Sequence, residues 1–180
     1  MELTLNPPIV ATFPWDAHLT AILNDGDEEK LKWIYGNYIQ LTGYLEKECE
    51  SIYINYFKSS LWQNCPHISI SKIGMDFYSG MSLEDKIKFI KHSINCGYYV
   101  VLQVYKNKIK AYEQSDFIDH QMMIYGYDEE AKILNIADFF SGKYRKRCCT
   151  YNELNEAWNL SLENIEKIDH LHLYLLKAKK

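Results

Sequence analysis

The stretch that most constrains this chain runs from Asp119 to Asp138. It reads as a β-hairpin that opens on a histidine, His120, and closes on an aspartate, Asp138. Met122, Ile124, Leu134 and Ile136 alternate with less apolar neighbours, the period-2 pattern of a half-buried strand. Asp128-Glu129-Glu130 supplies a polar turn. If Tyr127 pairs with Ala131 across that turn, His120 faces Asp138 directly. A five-residue loop also keeps the two on one face. A four-residue loop puts them on opposite faces unless a bulge intervenes, because a one-residue slip flips every side chain. The residues therefore permit an imidazole oriented by a carboxylate on a two-stranded platform, which is two members of a nucleophilic triad.

A chain of 180 residues is long enough for one domain with a real core, and residues 1–180 are read as a single domain. Hydrophobic residues at 47% and aromatics at 14% exclude a disordered chain. The net charge of -4 is spread over mixed signs with no basic stripe, so no nucleic-acid partner is expected. The apolar run Tyr98–Leu102 is too short to span a bilayer. The segment Met1–Pro8 lacks a signal-peptide core. The expectation is a cytoplasmic protein with no membrane partner. The five cysteines, Cys49, Cys65, Cys96, Cys148 and Cys149, are odd in number and read as reduced thiols. No Cys-x-x-Cys pair or histidine array is present, so neither a metal nor a cofactor is expected.

Along the chain, residues 1–15 are expected to be extended. Asp16 is placed to cap a helix over Ala17–Leu23, ended by Asn24-Asp25-Gly26. A short helix over Asp27–Trp33 follows, then strand or irregular loop over residues 34–44. Residues 50–58 fit a strand or a helix, since periodicity does not settle them. Residues 59–80 read as loop-rich, with a strand at Ile68–Ile70. Ser82-Leu83-Glu84-Asp85 resembles a capping box with aspartate in place of glutamate. The stripe Ile87, Phe89, Ile90, Ile94 continues that helix, and Gly97 stops it. Tyr98–Tyr105 is apolar on both faces at its centre and is expected to be an interior strand. A polar connection over Lys106–Asp119 leads into the hairpin. Phe139–Gly142 makes a turn and Lys143–Cys149 a further strand. Thr150 and Glu153 form a full capping box for a helix through Trp158, and residues 169–177 form a last strand. The fold class expected is α+β, with N-terminal helices packed on a C-terminal antiparallel β-sheet.

The run His120-x-x-x-x-Tyr125-Gly126-Tyr127-Asp128, followed by Ile136-Ala137-Asp138 and preceded by a helix near the N-terminus, resembles the papain-like cysteine peptidase superfamily. The nearest branch holds the bacteriocin-leader peptidases and the N-terminal domain of the butirosin biosynthesis acyltransferase. The resemblance covers roughly residues 12–160. In that branch a nucleophilic cysteine begins the first helix, whose N-terminus lowers the thiol pKa and helps bind an oxyanion. The matching position here is Ala17. The alanine has two readings: a natural pseudoenzyme, or a cysteine replaced so as to trap a bound state. The leader peptidases also carry an oxyanion glutamine six residues earlier, where this chain has Ala11 beside Thr12, so ordinary leader proteolysis lacks that donor. The catalytic positions implied are thus Ala17, His120 and Asp138. By itself His120 reads as a strand-end histidine satisfied by a carboxylate such as Asp119. Asp138 by itself reads as the start of a turn before Phe139. His18 lies on a different helix face from position 17 and is read as structural. His67, His92, His170 and His172 carry no partner signal, and Cys148-Cys149 read as core or surface thiols.

Some members of the branch act in biosynthesis. They take an acyl group from a carrier-protein thioester onto the cysteine and pass it to an amine, forming an amide without ATP. A single domain without a transporter or membrane segment suits that role, and the chain is similar in kind to the amide-forming enzyme of closthioamide assembly. The resemblance therefore implies a thiotemplated, amide-bond-forming acyltransferase of natural-product biosynthesis that uses no cofactor. Its partners would be an acyl or peptidyl carrier protein bearing a phosphopantetheine thioester, and a small amine acceptor. With Ala17 the chain would be an inactive form. The competing readings are a cysteine peptidase or deamidase of the same branch and a non-catalytic protein that binds a peptide or a carrier protein.

Overall fold

Pro14 sets the start of the first helix, α1 (Pro14–Leu23). Proline fits the first helical position because the N–H it lacks has no partner there. The N-cap is Phe13, which makes no side-chain capping bond. The expected cap, Asp16, falls inside the first turn, where its carboxylate accepts a hydrogen bond from Tyr38 Oη at 2.8 Å. The computed structural model describes residues 1–46, 51–56, 61–74, 76–112, 119–163 and 172–179. Cys49 and His170 lie outside the described residues.

α2 (Glu28–Asn37) is capped by Asp27, which accepts the N–H groups of Glu29 and Lys30. The helix runs past Trp33 into the stretch expected to be irregular. β1 (Leu41–Glu46) and β2 (Ser51–Tyr56) form a separate two-stranded antiparallel sheet, which settles residues 51–56 as a strand. β3 (Ile68–Gly74), the short α3 (Asp76–Ser79), α4 (Leu83–Asn95), β4 (Tyr99–Tyr105), β5 (Asp119–Asp128), β6 (Ile133–Phe140), β7 (Lys143–Thr150), α5 (Tyr151–Glu163) and β8 (His172–Ala178) complete the chain.

The main sheet has six strands in the order β3-β8-β4-β5-β6-β7, and every pairing is antiparallel. The fold is α+β, but the expected segregation is only partial. β3 comes from the first half of the chain, and α5 comes between strands of the second. Helices also cover both faces of the sheet rather than one. On one face Val100, Leu102, Val104, Met122, Ile124 and Ile136 pack with Ile87, Ile90 and Ile94 of α4 and with Leu154, Ala157 and Trp158 of α5. On the other, Tyr99, Val101, Met123, Tyr125, Ala137 and Leu176 pack with Leu19, Ala21, Ile22 and Leu23 of α1. Strands buried on both faces need apolar residues at consecutive positions, and β4 supplies them in Val100-Val101-Leu102, all buried.

The helix signals act as their chemistry dictates. At α5, Glu153 N–H donates to Thr150 Oγ1 at 3.1 Å and Thr150 N–H donates back to Glu153 Oε2 at 2.7 Å. At α4, Ser82 Oγ accepts from Asp85 N–H at 3.2 Å, and the shorter Asp85 carboxylate takes the Ser82 hydroxyl proton at 2.7 Å. Gly97 ends α4 with φ +83.

Candidate functional site

The hairpin closes with Asp128 opposite Ile133, so residues 129–132 form a four-residue turn. Asp128 Oδ1 accepts the N–H groups of Glu130 and Ala131, each at 3.0 Å. Such a turn would by itself set residues 120 and 138 on opposite faces. A bulge between Ile124 and Gly126 restores the parity, and beyond it Ile124 faces Ile136 and Met123 faces Ala137. Residue 138 thereby joins the face of Met122, Ile124 and Ile136. On the other side of β5, Leu102 pairs with Met122 and Val104 with His120. The backbone register therefore places residues 120 and 138 on one face; at residue 120 it is the backbone alone that is described.

The N-terminal residues lie against this bulge. Glu2 bridges Gly126, Leu3 N–H donates to Tyr125 O and Tyr127 N–H donates to Met1 O, both at 2.8 Å. A Cβ at Gly126 would stand 2.8 Å from Met1 O and 3.0 Å from Glu2 Cα. Glycine is needed here for close approach of one backbone to another.

Asp138 is fully buried. Tyr112 Oη donates to its Oδ2 at 2.5 Å and Phe139 N–H donates to its Oδ1 at 2.7 Å. Tyr112 stacks on Phe140, with ring centroids 4.6 Å apart. Lys106 Nζ sits 5.1 Å from the Tyr112 ring centre. Burial, reinforced by the nearby Asp138 charge, holds the Tyr112 hydroxyl well above the usual tyrosine range. Burial also pulls the Lys106 ammonium below its usual range, with Asp138 opposing. The connection read from sequence as polar thus delivers two buried groups to the aspartate.

Ala17 is also fully buried, but in α1, on the other face. The neighbouring His18 is likewise buried, and its Nδ1 shares a hydrogen bond with Tyr144 Oη at 2.9 Å. Tyr144 lies opposite Phe139 in the β6–β7 register. The sheet therefore stands between the helix that carries Ala17 and the carboxylate of Asp138. Of the three sequence-derived positions, 120 and 138 share a face by register, and α1 does not join them there.

A cavity of about 250 Å³ lies beside the first turn of α1, lined in part by Trp15, Val101, Gln103, Gln121, His172 and Tyr174. Gln103 and Gln121 are direct register partners, on the face of Val101 and Met123. Trp15 stacks on Trp62 at 4.3 Å, and both rings meet Tyr174 edge-on at 4.8 and 5.3 Å. The glutamines were not singled out from sequence, and His172 was set aside. Their alternation with apolar neighbours was readable, but the identity of the layer covering that face was not. A larger groove of about 840 Å³ lies at the far end of the α4–α5 layer. Among its charges, Lys88 pairs with Glu84 at 2.7 Å and Lys91 with Glu129.

No described cysteine takes over position 17. Cys65 and Cys149 are buried, and burial pushes both thiols up. Cys96 is exposed at the C-terminal cap of α4, 3.7 Å from His92 Nε2. Among the described residues there is no cluster of three His, Cys, Asp or Glu suited to a metal ion, and no helix is long and apolar enough to cross a membrane. No protein-family model matches the chain, and no curated protein matches it.

Proposed function

We propose that this chain is a non-catalytic form of the carrier-dependent, amide-forming acyltransferases. It receives an acyl or peptidyl thioester presented on the phosphopantetheine arm of a carrier protein, and it does not transfer the acyl group. One observation carries the reading. The start of α1, where the sequence resemblance puts the nucleophile, lies beside a small cavity of about 250 Å³, while residue 17 is alanine. A place to bind is kept where the means to attack is missing. The papain-like arrangement and a cytoplasmic setting belong to the same reading. They are supported by an early helix packed on the late strands β5 and β6 and by four free cysteines among the described residues.

In the catalytic form of this plan, a cysteine at position 17 works with His120 and Asp138. His120 takes the thiol proton and the thiolate attacks the thioester carbonyl. The pantetheine thiol leaves with that proton, and the acyl group stays on the cysteine. An amine attacks the acyl group, His120 takes its proton and returns it to the departing cysteine sulfur, and the products are an amide and the free thiol. Asp138 holds the imidazolium. The separation of α1 and Asp138 across the sheet weighs against this form.

The test compares the unaltered chain with Ala17→Cys, each mixed with a carrier protein loaded with a short acyl group. Saturable binding of the loaded carrier by both proteins, with no mass gain on the variant, is the expected result. An acyl adduct that an added amine converts to amide would replace the proposal with the transferase. Peptide cleavage by the variant would replace it with the peptidase. Failure of both proteins to bind the loaded carrier would refute it.

A further inference from the structure

Independently of that proposal, we infer that the outer edge of β7 docks an acidic strand of a partner protein: an extended segment, with carboxylates at alternate positions, that joins the main sheet. β7 ends the strand order on one side, and among the described residues only β6 pairs with it. An edge of this kind offers a row of backbone N–H and C=O groups, which an extended peptide satisfies by adding itself to the sheet. Six of the eight residues of β7 are exposed, which leaves the edge accessible.

Charge identifies the occupant. Lys143, Arg145, Lys146 and Arg147 are all exposed, and among the described residues none of them is ion-paired with a carboxylate. Arg145 and Arg147 are the only arginines in the chain; every other basic residue of the 20 is a lysine. A guanidinium presents a planar fork of donors that grips a carboxylate through two parallel hydrogen bonds, whereas an ammonium acts as a point charge. A chain that otherwise relies on lysine places both of its forks on one edge. Lys143, Arg145 and Arg147 alternate along the strand and share the face of the buried Cys149. Successive members stand about 6.8 Å apart, the span of two antiparallel strand residues. Carboxylates at every second position of an adjoining strand repeat at the same distance. Two of the cations are already steadied by aromatic rings, Lys146 by Tyr125 and Arg147 by Phe140. Arg147 Nη1 also donates to Lys146 O at 3.1 Å. One of its five N–H donors is thereby used, and the others serve a ligand.

The same cations attract any anion, and two considerations favour a peptide strand over a nucleic acid or an anionic bilayer. The net charge of the chain is -4, so outside this +4 strip it is -8. A long polyanion or a charged surface meets that acidic remainder, whereas a single strand meets the strip alone. Neither alternative carries main-chain N–H and C=O groups at strand spacing, so neither would complete the hydrogen-bonding row of the edge.

The experiment uses the full chain and a short, blocked, fluorescently labelled peptide in which glutamate and valine alternate. Anisotropy reads binding, and amide hydrogen exchange by NMR reads the edge. Saturable binding should protect the outward-facing amides of β7 and should weaken several-fold between about 50 and 500 mM NaCl. A peptide of the same composition with its glutamates in one block should bind at least about threefold more weakly. N-methylation of one alternate set of peptide nitrogens should abolish binding and that of the other set should not, because only one set faces the edge. Arg145→Lys with Arg147→Lys keeps the charge and removes both forks, and it should weaken the peptide roughly two- to tenfold. Arg145→Glu with Arg147→Glu should lose the glutamate peptide and favour one that alternates lysine and valine. The peptide comparisons on the unaltered protein decide even where a variant fails to fold. No saturable binding, equal binding of the alternating and block peptides, or binding that survives both N-methyl series would overturn the inference. So would tighter binding of a single-stranded oligonucleotide or a phosphatidylserine vesicle that leaves the β7 amides unprotected, or self-association of the chain through β7 without peptide.

Discussion

Replacing Tyr112 by phenylalanine should destabilise the protein by about 2 kcal/mol. The ring remains, with its stacking on Phe140 at 4.6 Å, so the change is the loss of one hydroxyl. That hydroxyl donates to Asp138 at 2.5 Å, and the aspartate is 0% exposed. No bulk water can take the vacant place without opening the layer between the sheet and its helices. A hydrogen bond to a charged group contributes roughly 1.5–3 kcal/mol net. The Phe139 N–H, at 2.7 Å, stays in place and keeps the loss below the top of that range. With a urea slope of about 2–3 kcal/mol/M for a domain of this size, the unfolding midpoint should fall by roughly 0.7–1 M at unchanged slope. Urea titration followed by fluorescence and far-UV circular dichroism measures both. A shift below about 0.2 M would show that the bond contributes little and that Asp138 is solvated in solution. The same variant tests the separation of the two layers. In an Ala17→Cys background, Tyr112→Phe should leave the alkylation rate of the introduced thiol unchanged, because distant sites without shared partners act independently. A several-fold change in that rate would place both groups in one site.

Alkaline pH should unfold the protein through its buried tyrosines. Tyr99 and Tyr125 are pushed up to about 12 by burial, and Tyr112 is held higher. The folded state then keeps protons that the unfolded chain releases near pH 10, so this stability is complete below pH 10 and declines above it, at about 1.4 kcal/mol per pH unit for each such tyrosine. Lys106, pulled down by burial, works in the opposite sense until its unfolded value is reached; phenolate absorbance against circular dichroism across that window checks the net slope. Gly126→Ala should displace residues 1–3 from β5 and speed hydrogen exchange at the Leu3 and Tyr127 amides, and native-like protection at both would show that the bulge has slack. Glu153→Ala removes one half of the α5 capping box and should cost about 1 kcal/mol, read as a fall in thermal midpoint.

Much of the fold was legible because its signals are local. Ser82, Gly97 and Thr150 mark helix ends by chemistry that needs no distant partner, and the apolar run of β4 announces an interior strand. The start of α1 was misread because Pro14 outweighs Asp16. Asp16 is instead drawn to the Tyr38 hydroxyl, and burial raises its carboxyl despite that bond. The hairpin was legible as a hairpin, but its parity was not. Parity rests on a bulge at Tyr125 and Gly126, against which residues far away in sequence lie. The candidate site divides along the same line. A histidine and an aspartate at matched spacing can be read from one segment. Which helix covers their face cannot, because that depends on how α1, α4 and α5 share the two sides of the sheet. Gln103 and Gln121 stayed hidden for the same reason: polar positions in alternating strands look solvated until something packs over them.

β7 closes one side of the main sheet, and among the described residues one row of its backbone groups has no strand to pair with. Within five residues it carries Lys143, Arg145, Lys146 and Arg147, all exposed. The last two cations of that set reach over the sheet on opposite sides, Lys146 toward the Tyr125 ring at 5.2 Å and Arg147 toward Phe140 at 5.9 Å. A second copy of the chain approaching edge to edge would have to bring like charges into register at strand spacing. In a protein whose net charge is -4, this local concentration of positive charge acts as a guard against fibre-like self-pairing. Neutralising it would expose a template for aggregation and leave the interior packing unchanged.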